Sequence, residues 1–184
     1  MKKTSFYILL LLCAWSWSQT TFLHCGQVFD SEKAKMLGPH TLVIEGEKIT
    51  EVKKGFIEAG EGNTVVDLKT KTVYPGFIDM HVHIEGEYSP DRYLKVFQNN
   101  PADTAFEAAE IANRTLMAGF TSVRDLGGSG VNISLRNAID KGLTSGPRIF
   151  TAGKAIGTTG GHADPTNGFR ADFQGDPGPK EGVV

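Results

Sequence analysis

Tyr74 to Glu87 reads YPGFIDMHVHIEGE, and the alternation inside it decides the fold. Phe77 to Ile84 predicts a strand, whose successive side chains point to opposite faces. Ile78, Met80, Val82 and Ile84 then share one face, while Phe77, Asp79, His81 and His83 share the other. The first face is wholly apolar, as required where helices cover a parallel sheet. The second grows polar toward its C-terminal end and leaves the strand through acidic Glu85-Gly86-Glu87.

Working outward, the flanks differ in kind. From Thr21 to Tyr74 the pattern is of short strands with no helical period. TLVIEGEKITEV predicts a hairpin about Glu45-Gly46-Glu47, and Thr64–Leu68 a further strand. Lys69-Thr70-Lys71 predicts a polar turn, and the whole stretch part of a small antiparallel sheet or sandwich over residues 19–74. After Pro75, strand and helix alternate. Asn100-Pro101-Ala102-Asp103 is a helix start, with a capping side chain, proline in the first turn and an acid at the positive end. Ala105, Ala109, Ala112 and Leu116 recur at helical spacing before Gly119. FTSVRDLGG, from Phe120, predicts a second strand; Ile133 to Leu143 a second helix; and RIFTAGKAI a third strand, followed by the glycine-rich GTTGGHADPTNGF. That order is the signature of a parallel α/β sheet over residues 75–184.

In a parallel α/β barrel, active sites gather at the C-terminal strand ends. Imidazoles two residues apart on one strand face reach a common cation, and histidine nitrogen suits zinc and other first-row ions. His81 and His83 are therefore candidate metal ligands. The bland alternative is a surface pair, or core histidines satisfied by carbonyls. A zinc site commonly takes three protein ligands and an open position for water, so two do not complete it.

Composition excludes other classes. The 184 residues suffice for one ordinary domain, and 19 basic against 21 acidic side chains give a formal charge of −2. Lysine and arginine are scattered, with no basic stripe for nucleic acid. Residues 1–18 carry Lys2 and Lys3, an apolar run from Phe6 to Trp15 and then Ser16-Trp17-Ser18. That run falls short of the roughly 20 apolar residues a membrane span needs, and it predicts a cleaved secretory signal peptide and an exported protein. An uncleaved anchor is the alternative; a lipoprotein through Cys13 is disfavoured by bulky Leu12. With Cys13 removed, Cys25 stands alone, without an intrachain disulfide, and is read as a small core residue.

PGFIDMHVH resembles the first barrel strand of the metal-dependent amidohydrolase superfamily, and the preceding β segment resembles the small sandwich beside that barrel. VRDLGG and TTGGHAD resemble the subgroup of imidazolonepropionase-like amidohydrolases and Xaa-Pro dipeptidases. The resemblance implies an α/β fold: the first three βα units of a TIM-type (β/α)8 barrel, incomplete in this chain, preceded by part of a β-sandwich. It implies His81 and His83 as ligands of one or two divalent ions, zinc foremost. It also implies a small-molecule or dipeptide substrate cleaved at an amide-type carbon–nitrogen bond. The remaining ligands, and the aspartate that serves as general acid and base, are expected beyond Val184. A chain holding only these three units is alternatively a noncatalytic fragment. A homo-oligomer is compatible with the reading, and no membrane span is expected once the leader is cleaved.

Other candidates carry alternatives. His162, in Gly160-Gly161-His162-Ala163-Asp164, could hydrogen-bond a substrate beside the metal or merely brace its loop. Asp164 could cap that loop. Arg124 could attract a substrate carboxylate or form a structural salt bridge. Asp125 is assigned to the Gly127-Gly128 turn or to support of the site, and Asp79 to support of the ligands from deeper in the barrel. Glu85 and Glu87 are expected to be solvated rim charges. Asn113 and Asn132 fit glycosylation sequons without requiring a functional reading. Gly153 to Gly161 is not a phosphate loop, because no Gly-Lys-Ser/Thr ending follows.

Overall fold

Residues 19–184 are described by the structure, a computed structural model. The expected leader over residues 1–18, with Cys13, lies outside the described residues. The chain divides into two compact units after Pro75.

The first unit is a five-stranded sheet. It comprises β1 (Thr20–Asp30), β2 (Lys35–Leu37), β3 (His40–Glu45), β4 (Lys48–Lys54) and β5 (Thr64–Val73). The β3–β4 hairpin turns at Gly46, whose φ of 60° few side chains tolerate. Strand β1 runs antiparallel to β2 and β3 but parallel to β5, so the sheet is mixed rather than wholly antiparallel. The turn expected at Lys69-Thr70-Lys71 is absent; β5 runs through it. Its residues are absorbed in a register slip, from Cys25 opposite Leu68 to Gln27 opposite Thr72. Gly26 makes the slip feasible, because any Cβ there would collide with the Lys69 carbonyl oxygen. Cys25, Val28 and Leu42 form the core, edged by Leu23, Leu68 and Val73. Burial pushes the Cys25 thiol above its ordinary pKa, and Sγ donates to the Leu23 carbonyl oxygen at 3.4 Å.

In the second unit, β6 (Phe77–Val82), β7 (Phe120–Asp125) and β8 (Arg148–Thr151) form a parallel sheet in sequence order. Helix α1 (Arg92–Gln98), which the sequence reading does not anticipate, precedes α2 (Pro101–Met117); α3 (Val131–Asp140) follows β7. At the start of α2, Asp103 Oδ2 accepts the Asn100 backbone N–H at 2.8 Å, satisfying one of the donors that the first turn leaves unpaired. Ala108 and Ala112 of α2 are buried, and their size brings that helix close to β7. Helix α3 begins at Val131, two residues before the expected start, and packs on β8. Ile84, Ala108, Ala112, Val123, Leu135 and Ile149 close the core. Among the described residues no helix is long and apolar enough to cross a membrane.

Strand β6 departs from the strict alternation expected of it. It ends at Val82, and its register on β7 slips: Asp79 lies opposite Val123, but Val82 lies opposite Asp125. Three steps on one strand therefore match two on the other, which is a bulge. The apolar face is covered only at its C-terminal end. Ile84 is 2% exposed, whereas Ile78 and Met80 are 63% and 54% exposed. Helix α2 packs over β7 and α3 over β8, leaving the N-terminal half of β6 open.

Candidate metal centre

His81 and His83 emerge together at the C-terminal end of β6. Their ring centres lie 5.5 Å apart at an interplanar angle of 71°. Two imidazoles bound at ~2.0–2.1 Å to one tetrahedral zinc place their centres about 5 Å apart, close to the separation of this pair. Both side chains are exposed, so an approaching ion need not displace packed hydrocarbon.

The tautomer of His83 is fixed by its partner. His83 Nδ1 lies 2.7 Å from the Gly127 carbonyl oxygen. A carbonyl only accepts, so Nδ1 carries the proton, and in the neutral ring Nε2 keeps its lone pair for a metal. His81 is held differently: its backbone N–H donates to Asp79 Oδ1 at 3.0 Å, a local tie across the bulge. Asp79 thus touches the backbone of one candidate ligand.

Beyond the strands, the loops are stitched together. Asp125, 1% exposed at the end of β7, accepts the Ile84 N–H through Oδ2 at 3.0 Å and the Gly127 N–H through Oδ1 at 2.8 Å. Asn132 Nδ2 donates to the same Oδ1 at 3.2 Å and to the Gly153 carbonyl oxygen at 2.9 Å. Gly128 N–H donates to the Gly153 carbonyl at 2.7 Å. The exits of β6, β7 and β8 therefore form one braced ledge.

Glu85 corrects the sequence reading. Its carboxylate is no solvated rim charge: Oε2 accepts the Ser129 N–H at 2.7 Å and Oε1 the Asn132 N–H at 2.6 Å. The reason lies in α3, whose N-cap is Gly130 and has no side chain to cap with. The acceptor comes instead from 47 residues upstream, at the positive end of the helix. Glu87 does face solvent, paired with Arg114 at 2.9 Å. Asn132, 0% exposed, is closed to glycosylation in this fold.

The remaining candidates sit as follows. Arg124 makes no ion pair with any described residue; its Nε donates to the Met80 carbonyl oxygen at 2.8 Å, across to β6. His162 is exposed on the loop after β8. Asp164 organises that loop, accepting from the Gly160 N–H at 2.7 Å, the Thr166 N–H at 2.8 Å and the Thr166 hydroxyl at 2.7 Å. These bonds, the Gly160 one foremost, hold its carboxyl below the ordinary aspartate range. Among the described residues no three His, Cys, Asp or Glu side chains gather as a metal-binding group. Gly127, Gly128 and Asn132 escaped the sequence reading as site residues; the paired glycines after β7 were the one available signal.

Comparison with known proteins places the chain in a family. The model of the amidohydrolase family matches residues 72–181. Ochratoxinase of Aspergillus niger is 33% identical over 98 residues, covering 52% of this chain and 20% of that protein. A solved Xaa-Pro dipeptidase with bound methionine in its active site superposes with a TM-score of 0.81 at 43% identity, covering 90% of this chain and 41% of that one. A prolidase complexed with N-methylphosphonate-L-proline gives 0.66 at 41% identity, covering 78% and 34%. The chain thus spans about one fifth of the curated relative and two fifths of the dipeptidase. With more than half of its residues matched by that family's model, the chain belongs to the amidohydrolase family.

Proposed function

We propose that this chain is the opening section of an exported, metal-dependent (β/α)8-barrel hydrolase that cleaves amide-type carbon–nitrogen bonds in small substrates. His81 and His83 supply the first two nitrogen ligands. One observation carries the reading: the Gly127 carbonyl oxygen, 2.7 Å from His83 Nδ1, leaves the opposite ring nitrogen with a lone pair that a cation can take. A divalent ion, zinc foremost, would lower the pKa of bound water and polarise the scissile carbonyl. The chain's own contribution is placement. Asp79 fixes the His81 backbone, Gly127 fixes the His83 ring, and Asn132 ties the exits of β7 and β8 together. His162 offers a donor to a substrate carbonyl or carboxylate, and Arg124 a positive charge on the same sheet. The proton for the departing nitrogen is assigned to an aspartate outside the described residues.

Similarity to a Xaa-Pro dipeptidase, a prolidase and an ochratoxinase supports dipeptides with C-terminal proline as the substrate class, with lactam-like rings as the second choice. A different reading, that the 184-residue chain alone is noncatalytic, is favoured by the two-ligand set and by the exposure of Ile78 and Met80. One experiment separates them. The coding sequence is read past Val184, and both lengths are assayed on Xaa-Pro dipeptides with and without chelator. Chelator-sensitive hydrolysis by the longer protein alone is expected. A stop codon at that point, or hydrolysis indifferent to chelator, would defeat the enzyme reading.

A further inference from the structure

His83 is held by a segment from the next βα unit rather than by its own strand. Its ring bonds the Gly127 carbonyl, the following N–H of Ile84 bonds Asp125, and the following side chain, Glu85, bonds the N–H groups of Ser129 and Asn132. All three ties end on residues 125–132. The bond that the His81 backbone N–H makes to Asp79 stays within β6. From this asymmetry we infer that Glu85 and Asn132 are positioning residues for the His83 imidazole: Glu85 locks the exit of β6 onto α3, and Asn132 locks the segment that carries Gly127.

The seat for Glu85 is built into the paired glycines. A Cβ on Gly128 would overlap the Glu85 carboxylate, so the absence of a side chain there makes room for it. Gly127 has φ of 138° and lies against the Ala155 backbone, which turns its carbonyl toward His83. Asn132 is fully buried, and its Nδ2 joins Asp125 to Gly153, bracing both sides of this turn. Groups that orient a ligand from behind set metal affinity by about ten- to a hundredfold. Neither residue needs to touch the ion to do so.

The inference rests on the proposed metal reading, and the test keeps the two apart. The protein carrying the complete barrel is loaded with Co2+, whose visible spectrum reports ligand geometry. Cobalt affinity is measured by chelator competition for the unsubstituted protein and for Glu85→Ala, Glu85→Gln, Gly128→Ala and Asn132→Ser. Glu85→Ala and Gly128→Ala are expected to weaken Co2+ retention about ten- to a hundredfold and to alter its spectrum. Glu85→Gln keeps one of the two acceptor oxygens and turns its NH2 toward the other N–H, so it is expected to recover only part of the affinity. Asn132→Ser, a smaller side chain, is expected to follow Glu85→Ala. Unchanged affinity and spectrum in Glu85→Ala and Gly128→Ala would overturn the inference while leaving the metal reading intact. A fall in melting temperature with unchanged cobalt properties would reduce both residues to structural ones and equally overturn it. Failure of the unsubstituted protein to bind Co2+ at all would overturn the metal reading, and this inference with it.

Discussion

Replacing His83 with alanine removes a candidate ligand and one hydrogen bond from an exposed position, so its two effects should separate. The lost bond to Gly127 is expected to cost about 1 kcal/mol of stability, while metal retention collapses; denaturant titration beside metal analysis reads both. Gly127→Ala acts in reverse order. It forces a Cβ into φ of 138° and against the Ala155 backbone, and should cost about 1–3 kcal/mol before any effect on metal is felt. Asp164 gives a pH signature. Its folded pKa lies below the ordinary value, so its support of the loop is complete above that value, about 3.9, and is lost as pH falls through the folded pKa. Amide exchange at Gly160 and Thr166 should therefore quicken on acidification, relative to the intrinsic rate at each pH, and Asp164→Asn should flatten that dependence. Protection that stays constant down to strongly acid pH would contradict the assignment.

At the level of elements, the start of α2 and the core beneath it are independent supports. Asp103→Ala should cost about 1 kcal/mol through the lost bond to the Asn100 N–H, and Leu135→Ala about 2–5 kcal/mol through the cavity it opens. Measured together in one chain, the losses should add, because the sites share no partner. Helix α2 was legible in sequence since its signals are local: Asn100, Pro101 and Asp103 stand within one turn. Helix α1 was not, because Arg92–Gln98 buries no residue and shows no apolar period tied to a core. The bulge in β6 and the run of β5 through Lys69-Thr70-Lys71 were also hidden, as each depends on a partner strand distant in sequence. For the same reason the chain suggested two imidazoles from spacing but could not disclose Gly127, 44 residues away, or the Glu85 clasp on α3.

Across the whole molecule, the parallel sheet leaves β6 and β8 with one neighbour each, and Ile78, Met80 and Phe150 exposed. Open edges and uncovered apolar faces template association. Residues 19–184 expressed alone should bind a hydrophobic dye and elute as oligomers, and charged substitutions at Ile78, Met80 and Phe150 should suppress both. A monomeric, dye-silent chain of this length would contradict that expectation. The central claim, that His81 and His83 share one divalent ion, is tested most directly by anomalous diffraction at the metal edge from crystals of the longer protein. The account predicts a peak at ~2.0–2.1 Å from His83 Nε2 and from a nitrogen of His81, with Gly127 still accepting from Nδ1. A peak elsewhere, or a His83 ring ligated by neither nitrogen, would contradict it.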